Sequence, residues 1–209
     1  MKKAYKIKPN QKKYAATISY LEEKIGIFDT YVELESNNGY PFRVLIKEPT
    51  EQKPYYMLVT AGLQFIKFPH FGKNLEGFEL FMRLPTSWKF PEESTDKNAW
   101  AFHILEGIVS IIIDGSVMLP GMTYQFEKFT SDTKQHIAMV HYSQVFGEEP
   151  FVLPLKKKDV VFLEVQTLYD EEFNVSKDDD GDVAYYVYTL PYIDLYRECF
   201  ILDKKESEE

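Results

Sequence analysis

The sequence has a single cysteine and lacks the marks of an exported or membrane protein. Cys199 is the only cysteine among 209 residues, so the chain can form neither an internal disulfide nor a cluster of thiolate ligands. Residues 1–13 are basic and polar with no apolar segment after them, and the longest apolar stretch, residues 108–113, is interrupted by Ser110. Because that stretch is far too short to cross a bilayer, we expect a cytoplasmic protein.

Histidines are also scarce, and their spacing does not predict a metal site. His136 and His141 lie five positions apart, whereas a helical pair of ligands needs four, and an odd spacing places two side chains on opposite faces of a strand. His70 and His103 have no second histidine at the spacing of a zinc site. We interpret the four as ordinary surface or core histidines, and no metal or other cofactor is predicted.

Sequence motifs of catalysis are missing as well. The chain contains no G-x-S-x-G motif and no glycine-rich loop of the kind that holds phosphate. Cys199 has only Arg197 as a nearby positive charge, which is not the setting of a reactive thiol. The consecutive acids at 170–172 could form an acid/base pair, but acids on a connecting segment are more often solvated. We therefore predict no catalytic residue and a protein that is not an enzyme.

One acidic segment is similar to a calcium-binding loop but lacks both of its end ligands. Residues 178–182 have the sequence Asp-Asp-Asp-Gly-Asp. When Gly181 is aligned with the sixth loop position, Ser176 falls at the first and Val187 at the twelfth, where a bidentate carboxylate is required. A solvated acidic loop is therefore the favoured interpretation, and weak cation binding by this loop stays open.

Composition and charge indicate an ordered protein that avoids polyanions. Hydrophobic residues make up 44% of the chain and aromatic residues 16%, which is too apolar for a disordered sequence. With 33 acidic against 24 basic residues, the net charge is -9. Such a charge repels nucleic-acid phosphates and anionic lipid headgroups, so neither nucleic acid nor a membrane is expected as a partner. It favours a basic protein partner, while the oligomeric state stays undetermined.

Apolar periodicity predicts two helices. The first starts at Asn10, a capping residue, and ends before Gly26, with apolar side chains at spacings of three and four. The second is expected over residues 96–110, although the β-branched residues 111–113 locally favour strand.

Alternating and continuous apolar runs, separated by proline and turn residues, predict a series of strands. The run at residues 160–167 is the most apolar and is expected at the centre of the sheet. Residues 168–175 are expected to form a turn or a short helix, and residues 183–189 fit either a strand or a helix. The predicted strands cover residues 31–35, 42–46, 55–60, 78–84, 122–128, 137–142, 160–167 and 192–201. These elements predict an α+β fold, in which a mixed, largely antiparallel β-sheet flanked by helices forms one compact, sandwich-like domain, with a soft division near Pro120.

Four short segments occur together in a characteristic order. They are PTE at 49–51 with PYY at 54–56 and LVTAG at 58–62; ELFMRLP at 79–85 with Trp88; Trp100 followed by Ile104 and Leu105; and VFLE at 161–164 leading into LYDEE at 168–172. In this order and spacing they resemble the suppressor-of-fused (SUFU) domain family, bacterial type, over residues 30–200. The chain departs from the pattern at residues 110–119, which replace a glycine- and histidine-containing segment, and at Leu63, where methionine is frequent.

The resemblance implies protein binding rather than catalysis. Animal members of the family hold a transcription factor of the Hedgehog pathway in a complex that includes a peptide strand, and bacterial members are similar to immunity proteins of polymorphic toxin systems. We therefore expect an antitoxin-like binder of a basic toxin domain, with Tyr169, Asp170, Glu171 and Glu172 as its partner-binding residues. The alternative is a regulatory scaffold that sequesters a cytoplasmic protein by binding an extended peptide strand.

The same resemblance suggests how the chain is divided. Residues 1–29 are expected to form an N-terminal helix that packs on the domain, residues 30–203 the suppressor-of-fused-like domain, and residues 204–209 a charged tail.

Overall fold

A computed structural model describes residues 14–66, 77–93, 95–116, 119–143, 151–155, 159–178 and 190–199, excepting the side chains of 175–178. The helices in this part of the chain are α1 (Ala15–Ile25), α2 (Trp100–Ile113) and α3 (Asp170–Asp178), with single 3-10 turns at Leu63–Phe65 and Lys97–Ala99. The strands are β1 (Thr30–Glu35), β2 (Pro41–Lys47), β3 (Tyr55–Ala61), β4 (Gly77–Pro85), β5 (Thr123–Gln125), β6 (Ile137–Tyr142), β7 (Val152–Pro154) and β8 (Asp159–Leu168). None of the described helices is long and apolar enough to cross a bilayer.

All eight strands belong to one sheet, ordered β1-β2-β3-β4-β8-β6-β5, with β7 paired to β8. The pairing of β4 with β8 is parallel, and the other pairings are antiparallel. The mixed, largely antiparallel sheet predicted from the sequence is thus confirmed. The strand predicted to be central, β8, lies between β4 and β6, and residues 160–168 are all buried.

Helix α2 covers one face of the sheet. Its apolar side chains pack against alternate residues of β1, β2, β4, β6 and β8, because successive side chains of a strand point to opposite faces. Trp88 and Trp100 also belong to this cluster, at 3% and 8% exposure. Both tryptophans are therefore part of the core on this face of the sheet.

Helix α1 covers the opposite face beside β2, β3 and β4, and its buried stripe consists of Ile18, Leu21 and Ile25 with Tyr14 before it. A smaller apolar cluster on this face joins β6 and the end of β8 to Phe173 of α3. Charged side chains of β4 and β8 are buried between these two clusters, and they are described below.

Two predicted elements have different bounds in the structure. Helix α2 continues past Ser110 to Ile113, because Ile112 is buried in the core, and this packing outweighs the local strand preference of the three isoleucines. The strand predicted over residues 122–128 is shortened to Thr123–Gln125, and β7 was missed.

The late strand predicted over residues 192–201 is wrong for the residues that the structure describes. Residues 190–199 form turns and irregular backbone. The Ile193 amide donates to the Arg83 carbonyl of β4 at 2.8 Å, a single bond rather than a ladder. The ambiguous segment 183–189 lies outside the described residues, as do residues 179–182 of the acidic loop, the start of the N-terminal helix and the tail.

Candidate binding surface

The acidic turn that opens α3 is held in place by a buried ion pair. Glu172 is fully buried, and its carboxylate accepts hydrogen bonds from Arg197 at 2.5 Å from Nη1 and 2.7 Å from Nη2. The same carboxylate accepts the Tyr169 backbone amide at 3.0 Å, so it satisfies a backbone donor at the helix start. The Glu172–Arg197 pair therefore ties this turn to the segment at residues 190–199.

Arg197 connects this turn to β8. Its Nη2 donates to the Thr167 carbonyl at 3.1 Å, and its guanidinium lies 5.2 Å from the centre of the Tyr169 ring. The Tyr169 hydroxyl donates to the Arg197 carbonyl. Because guanidinium stacks favourably on aromatic faces, the ring, the cation and the Glu172 carboxylate stabilise one another.

The remaining two predicted residues present their charges outward. Glu171 is exposed. The Asp170 side chain is 57% exposed, with Oδ1 3.2 Å from Nε2 of His136. Negative charges in the first turn of a helix also interact favourably with its dipole. The structure thus brings all four predicted residues together, with Tyr169 and Glu172 in supporting positions and Asp170 and Glu171 facing solvent.

A second polar cluster is buried on the same face of the sheet. Arg83 Nε lies 2.5 Å from Oε1 of Glu164, and the Ser143 hydroxyl donates to Oε2 of the same carboxylate at 2.8 Å. The Arg83 guanidinium also lies 5.7 Å from the Tyr55 ring centre. Burial raises the pKa of Glu164, while Arg83 and the Ser143 hydroxyl act in the opposite direction.

His141 belongs to this cluster by strand register, since it lies directly opposite Glu164 in the β6–β8 pair. It is 3% exposed, and its Nδ1 lies 2.8 Å from the Tyr142 carbonyl oxygen. Burial lowers the pKa of His141 to about 4, so its imidazole is neutral near pH 7. The neutral His141 and the Arg83–Glu164 pair are thus neighbouring polar groups inside the sheet.

Glu79 organises the turn after β3. Its carboxylate accepts the Thr60 hydroxyl at 2.7 Å and the backbone amides of Gly62, Leu63 and Gln64 at 2.8, 3.3 and 3.2 Å. Gly62 has φ of 132°, which favours glycine because other residues are strained there. Burial raises the pKa of Glu79, and these four donors oppose that shift.

Sequence reasoning missed these buried charges, although they were visible in the quoted segments. Glu79 begins the segment ELFMRLP and Arg83 interrupts it, while Glu164 ends VFLE directly before the apolar Val165. Charged residues are rarely buried unless they are paired, so a charge inside a buried strand predicts an internal partner. The LVTAG segment supplies two of the donors to Glu79, the Thr60 hydroxyl and the Gly62 amide.

No group of three or more His, Cys, Asp or Glu residues that could hold a metal ion occurs in the described part of the chain. The acidic residues at 179–182 lie outside that part, so weak cation binding by this loop is not tested. Cys199 is buried at 4% exposure.

The fold and these buried pairs define an α+β domain built on one mixed sheet, with an exposed acidic corner at α3. The sequence over residues 39–185 matches the family described as Suppressor of fused protein (SUFU), and the chain belongs to this family. The family consists of non-enzymatic protein-interaction proteins, so the fold is consistent with a protein-binding module. No curated protein matches the chain by sequence.

Solved structures share this fold at low sequence identity. A structure described as the Sufu-Fu complex is 13% identical with a TM-score of 0.65, covering 93% of this chain and 94% of that one. A SUFU (suppressor of fused protein) homolog from Neisseria gonorrhoeae FA 1090 is 14% identical with a TM-score of 0.59, covering 90% and 96%. Drosophila Suppressor of Fused is 13% identical with a TM-score of 0.58; the match covers 80% of this chain but 44% of that protein.

Proposed function

We propose that this chain is an immunity protein that neutralises a toxin domain by binding it through the corner formed by Tyr169, Asp170, Glu171 and Glu172. The observation that carries the proposal is the rigid presentation of Asp170 and Glu171 by the buried Glu172–Arg197 pair. A charged surface that is already ordered loses little conformational entropy when a partner binds.

The charge of the chain supports a basic partner. Its net charge of -9 attracts a cationic domain over a distance of several ångströms, and complementary charge mainly accelerates association. A nuclease toxin is basic in the region that binds phosphate, so an acidic surface that covers that region blocks substrate access. The Tyr169 ring, half-buried beside the two carboxylates, adds an aromatic contact of the kind enriched at interfaces.

The test is co-expression of this chain with the product of the gene next to its own, which is the expected source of the toxin. We expect growth rescue and a complex that remains intact on size-exclusion chromatography. The double variant Asp170→Asn and Glu171→Gln should slow association by about tenfold, because exposed charges act mainly on the association rate. Glu51→Gln, an exposed acid in the turn after β2, is the matched control. Absence of both complex and rescue would contradict the proposal.

A second function is favoured by the position of β1. This strand stands at the end of the sheet order and pairs with β2 alone among the described strands. An exposed edge offers backbone donors and acceptors to an added strand, as in a scaffold that binds an extended peptide. Pull-down of a cytoplasmic protein through β1, without a toxic neighbouring gene, would favour this function over the first.

A further inference from the structure

A groove lies between the β1–β2 hairpin and helix α2, far along the sheet from α3. Its volume is about 350 Å³, within the range of roughly 300–1,000 Å³ common for ligand sites. Leu34, Phe42 and Phe102 supply apolar walls, and Tyr14 closes one side. The groove is therefore large enough for one long side chain, and its walls are apolar along part of its length.

The charged side chains of the groove differ in whether they form an ion pair, and Arg43 is one that does. Arg43 Nη2 lies 2.7 Å from Oε1 of Glu33, and its guanidinium is stacked between the rings of Tyr14 and Tyr31, at 4.8 and 4.7 Å. The positive charge of the groove is thus neutralised within the chain. Its remaining ionisable side chains, besides Tyr14, are Glu35, His103 and Glu106.

Glu106 and Glu35 have no ion-pair partner in the part of the chain that the structure describes. Glu106 is half-buried on α2, and burial raises the pKa of its carboxyl group to about 7, while the positive charge of the chain's N-terminus acts in the opposite direction. A carboxylate that loses hydration without forming an ion pair is destabilised as an anion, and a cation placed beside it restores the lost interaction. The groove therefore has apolar walls that lead to a carboxylate without an ion pair among the described residues.

The groove is continuous with the outer strand of the sheet. Glu33, Leu34 and Glu35 of β1 line it, and β1 is the strand whose second edge has no neighbour among the described strands. A peptide that extends the sheet at β1 would project alternate side chains toward the groove. We propose that this groove receives an arginine or lysine side chain of a partner protein, presented by an extended segment along β1. This inference rests on the proposed binding of a peptide strand.

The test uses the full chain and two synthetic peptides. The probe is acetyl-Thr-Val-Arg-Val-Thr-amide, and its control has norleucine in place of arginine, which keeps the apolar stem and removes the charge. We expect saturable NMR shift changes at Glu35 and Glu106 with the arginine peptide, and binding at least about tenfold weaker with the norleucine peptide. Equal binding of the two peptides would overturn the inference.

Variants of the chain locate the binding. The double variant Glu35→Gln and Glu106→Gln should weaken binding of the arginine peptide by about tenfold, while Glu51→Gln leaves it unchanged. In the wild type, the pKa of Glu106, followed by carbon-13 NMR, should fall when the arginine peptide binds. Unchanged affinity in the double variant, or an unmoved pKa, would overturn the inference.

A competing occupant is the chain's own first 13 residues. They include lysines at positions 2, 3, 6, 8, 12 and 13 and lead into Tyr14. Replacing these lysines by glutamine should leave the Glu106 titration of the peptide-free protein unchanged. A rise in that pKa would assign the groove to the chain's own lysines and overturn the inference. Toxin neutralisation is a separate readout: a double variant that still rescues growth but no longer binds the probe separates the two sites.

Discussion

The Glu172 carboxylate accepts hydrogen bonds from both terminal nitrogens of Arg197, although the two residues are 25 positions apart and neither belongs to a strand. This pair joins the first turn of α3 to the irregular segment that ends the described chain. The acidic corner that we propose as the toxin-binding surface is positioned by it.

The first prediction concerns this pair. Glu172→Gln should destabilise the protein by about 3 kcal/mol, because it removes the buried carboxylate that accepts hydrogen bonds from both terminal nitrogens of Arg197. The double variant Glu172→Met and Arg197→Met should recover a large part of that loss, since apolar replacements remove both charges together. Urea unfolding measures the differences, and the exposed Glu171→Gln, expected to change stability by less than about 0.5 kcal/mol, is the control. A Glu172→Gln variant as stable as wild type would contradict this assignment.

The second prediction is a pH dependence that arises from His141. The folded protein binds this proton near pH 4, whereas the unfolded chain binds it near the ordinary value of 6.5. Between these values the unfolded state holds more protons, so stability falls as the pH decreases through this window. The loss attributable to His141 is of the order of 3 kcal/mol between about pH 7 and pH 4.

The measurement is the difference in unfolding free energy between wild type and His141→Gln across this window. It isolates His141 from the carboxyl groups that titrate over the same range. The same substitution at the exposed His103 is the matched control. A difference that does not change with pH would show that His141 is not buried as a neutral group.

The third prediction concerns Gly107 on α2. A methyl group at this position would lie 2.3 Å from Cε1 of Phe126, which itself packs against Phe129 at 5.3 Å between ring centres. Replacing an unconstrained helical glycine by alanine usually stabilises by about 0.4–1 kcal/mol. Here Gly107→Ala should instead cost about 1–3 kcal/mol, because the half-buried Phe126 ring, which packs against the core, must move away from the new methyl group.

Shortening the opposing side chain tests the stated cause. The substitution Phe126→Leu should reduce the cost of Gly107→Ala when the two are combined in a double-mutant cycle, with Phe126→Leu alone as the reference. Thermal unfolding gives the four stabilities. Strictly additive effects would contradict a direct clash between these two positions.

The fourth prediction concerns the turn held by Glu79. The substitution Glu79→Gln keeps the shape of the side chain but turns one of its two acceptors into a donor. The change should destabilise by about 2–4 kcal/mol, because buried amides of the Gly62–Gln64 turn lose their acceptor. Thr60→Val should destabilise the protein less than Glu79→Gln does. Thr60→Ser, which keeps the hydroxyl, should destabilise it least. Chemical unfolding ranks the three, and any other order would contradict the assignment of Glu79 as the central acceptor.

The sheet could be predicted from the sequence because most of its strands are bounded by proline, glycine or turn residues and are rich in apolar residues. β8 is the clearest case, since ten residues with few polar interruptions are typical of a strand covered on both faces. The segment at 192–201 misled for the same reason. Its aromatic and β-branched residues favour a strand. In the structure the side chains of Ile193 and Leu195 are buried although their backbone is irregular, and the hydrogen bonds of Arg197 hold this segment in place.

The candidate surface was less accessible to sequence reasoning. Tyr169 and the three acids at 170–172 are consecutive in sequence and are therefore neighbours in space, and their role in partner binding stays a prediction. The burial of Glu172 was not foreseen, since its partner lies 25 residues away and no local pattern predicts such a pair. The groove at Glu106 depends in the same way on a hairpin and a helix that are distant in sequence, so no periodicity indicates it.

The parallel contact of β4 with β8 gives the molecule two antiparallel halves joined along one seam. Residues 77–81 meet residues 160–164 there, and the Arg83–Glu164 bond spans 81 positions of sequence. Closing the long loop between β4 and β8 costs conformational entropy before any contact between them stabilises the chain. Each half can therefore form its hairpins faster than the seam can form. We therefore expect the seam to be the slow step of folding, with its buried arginine and carboxylate meeting only when both halves are already built.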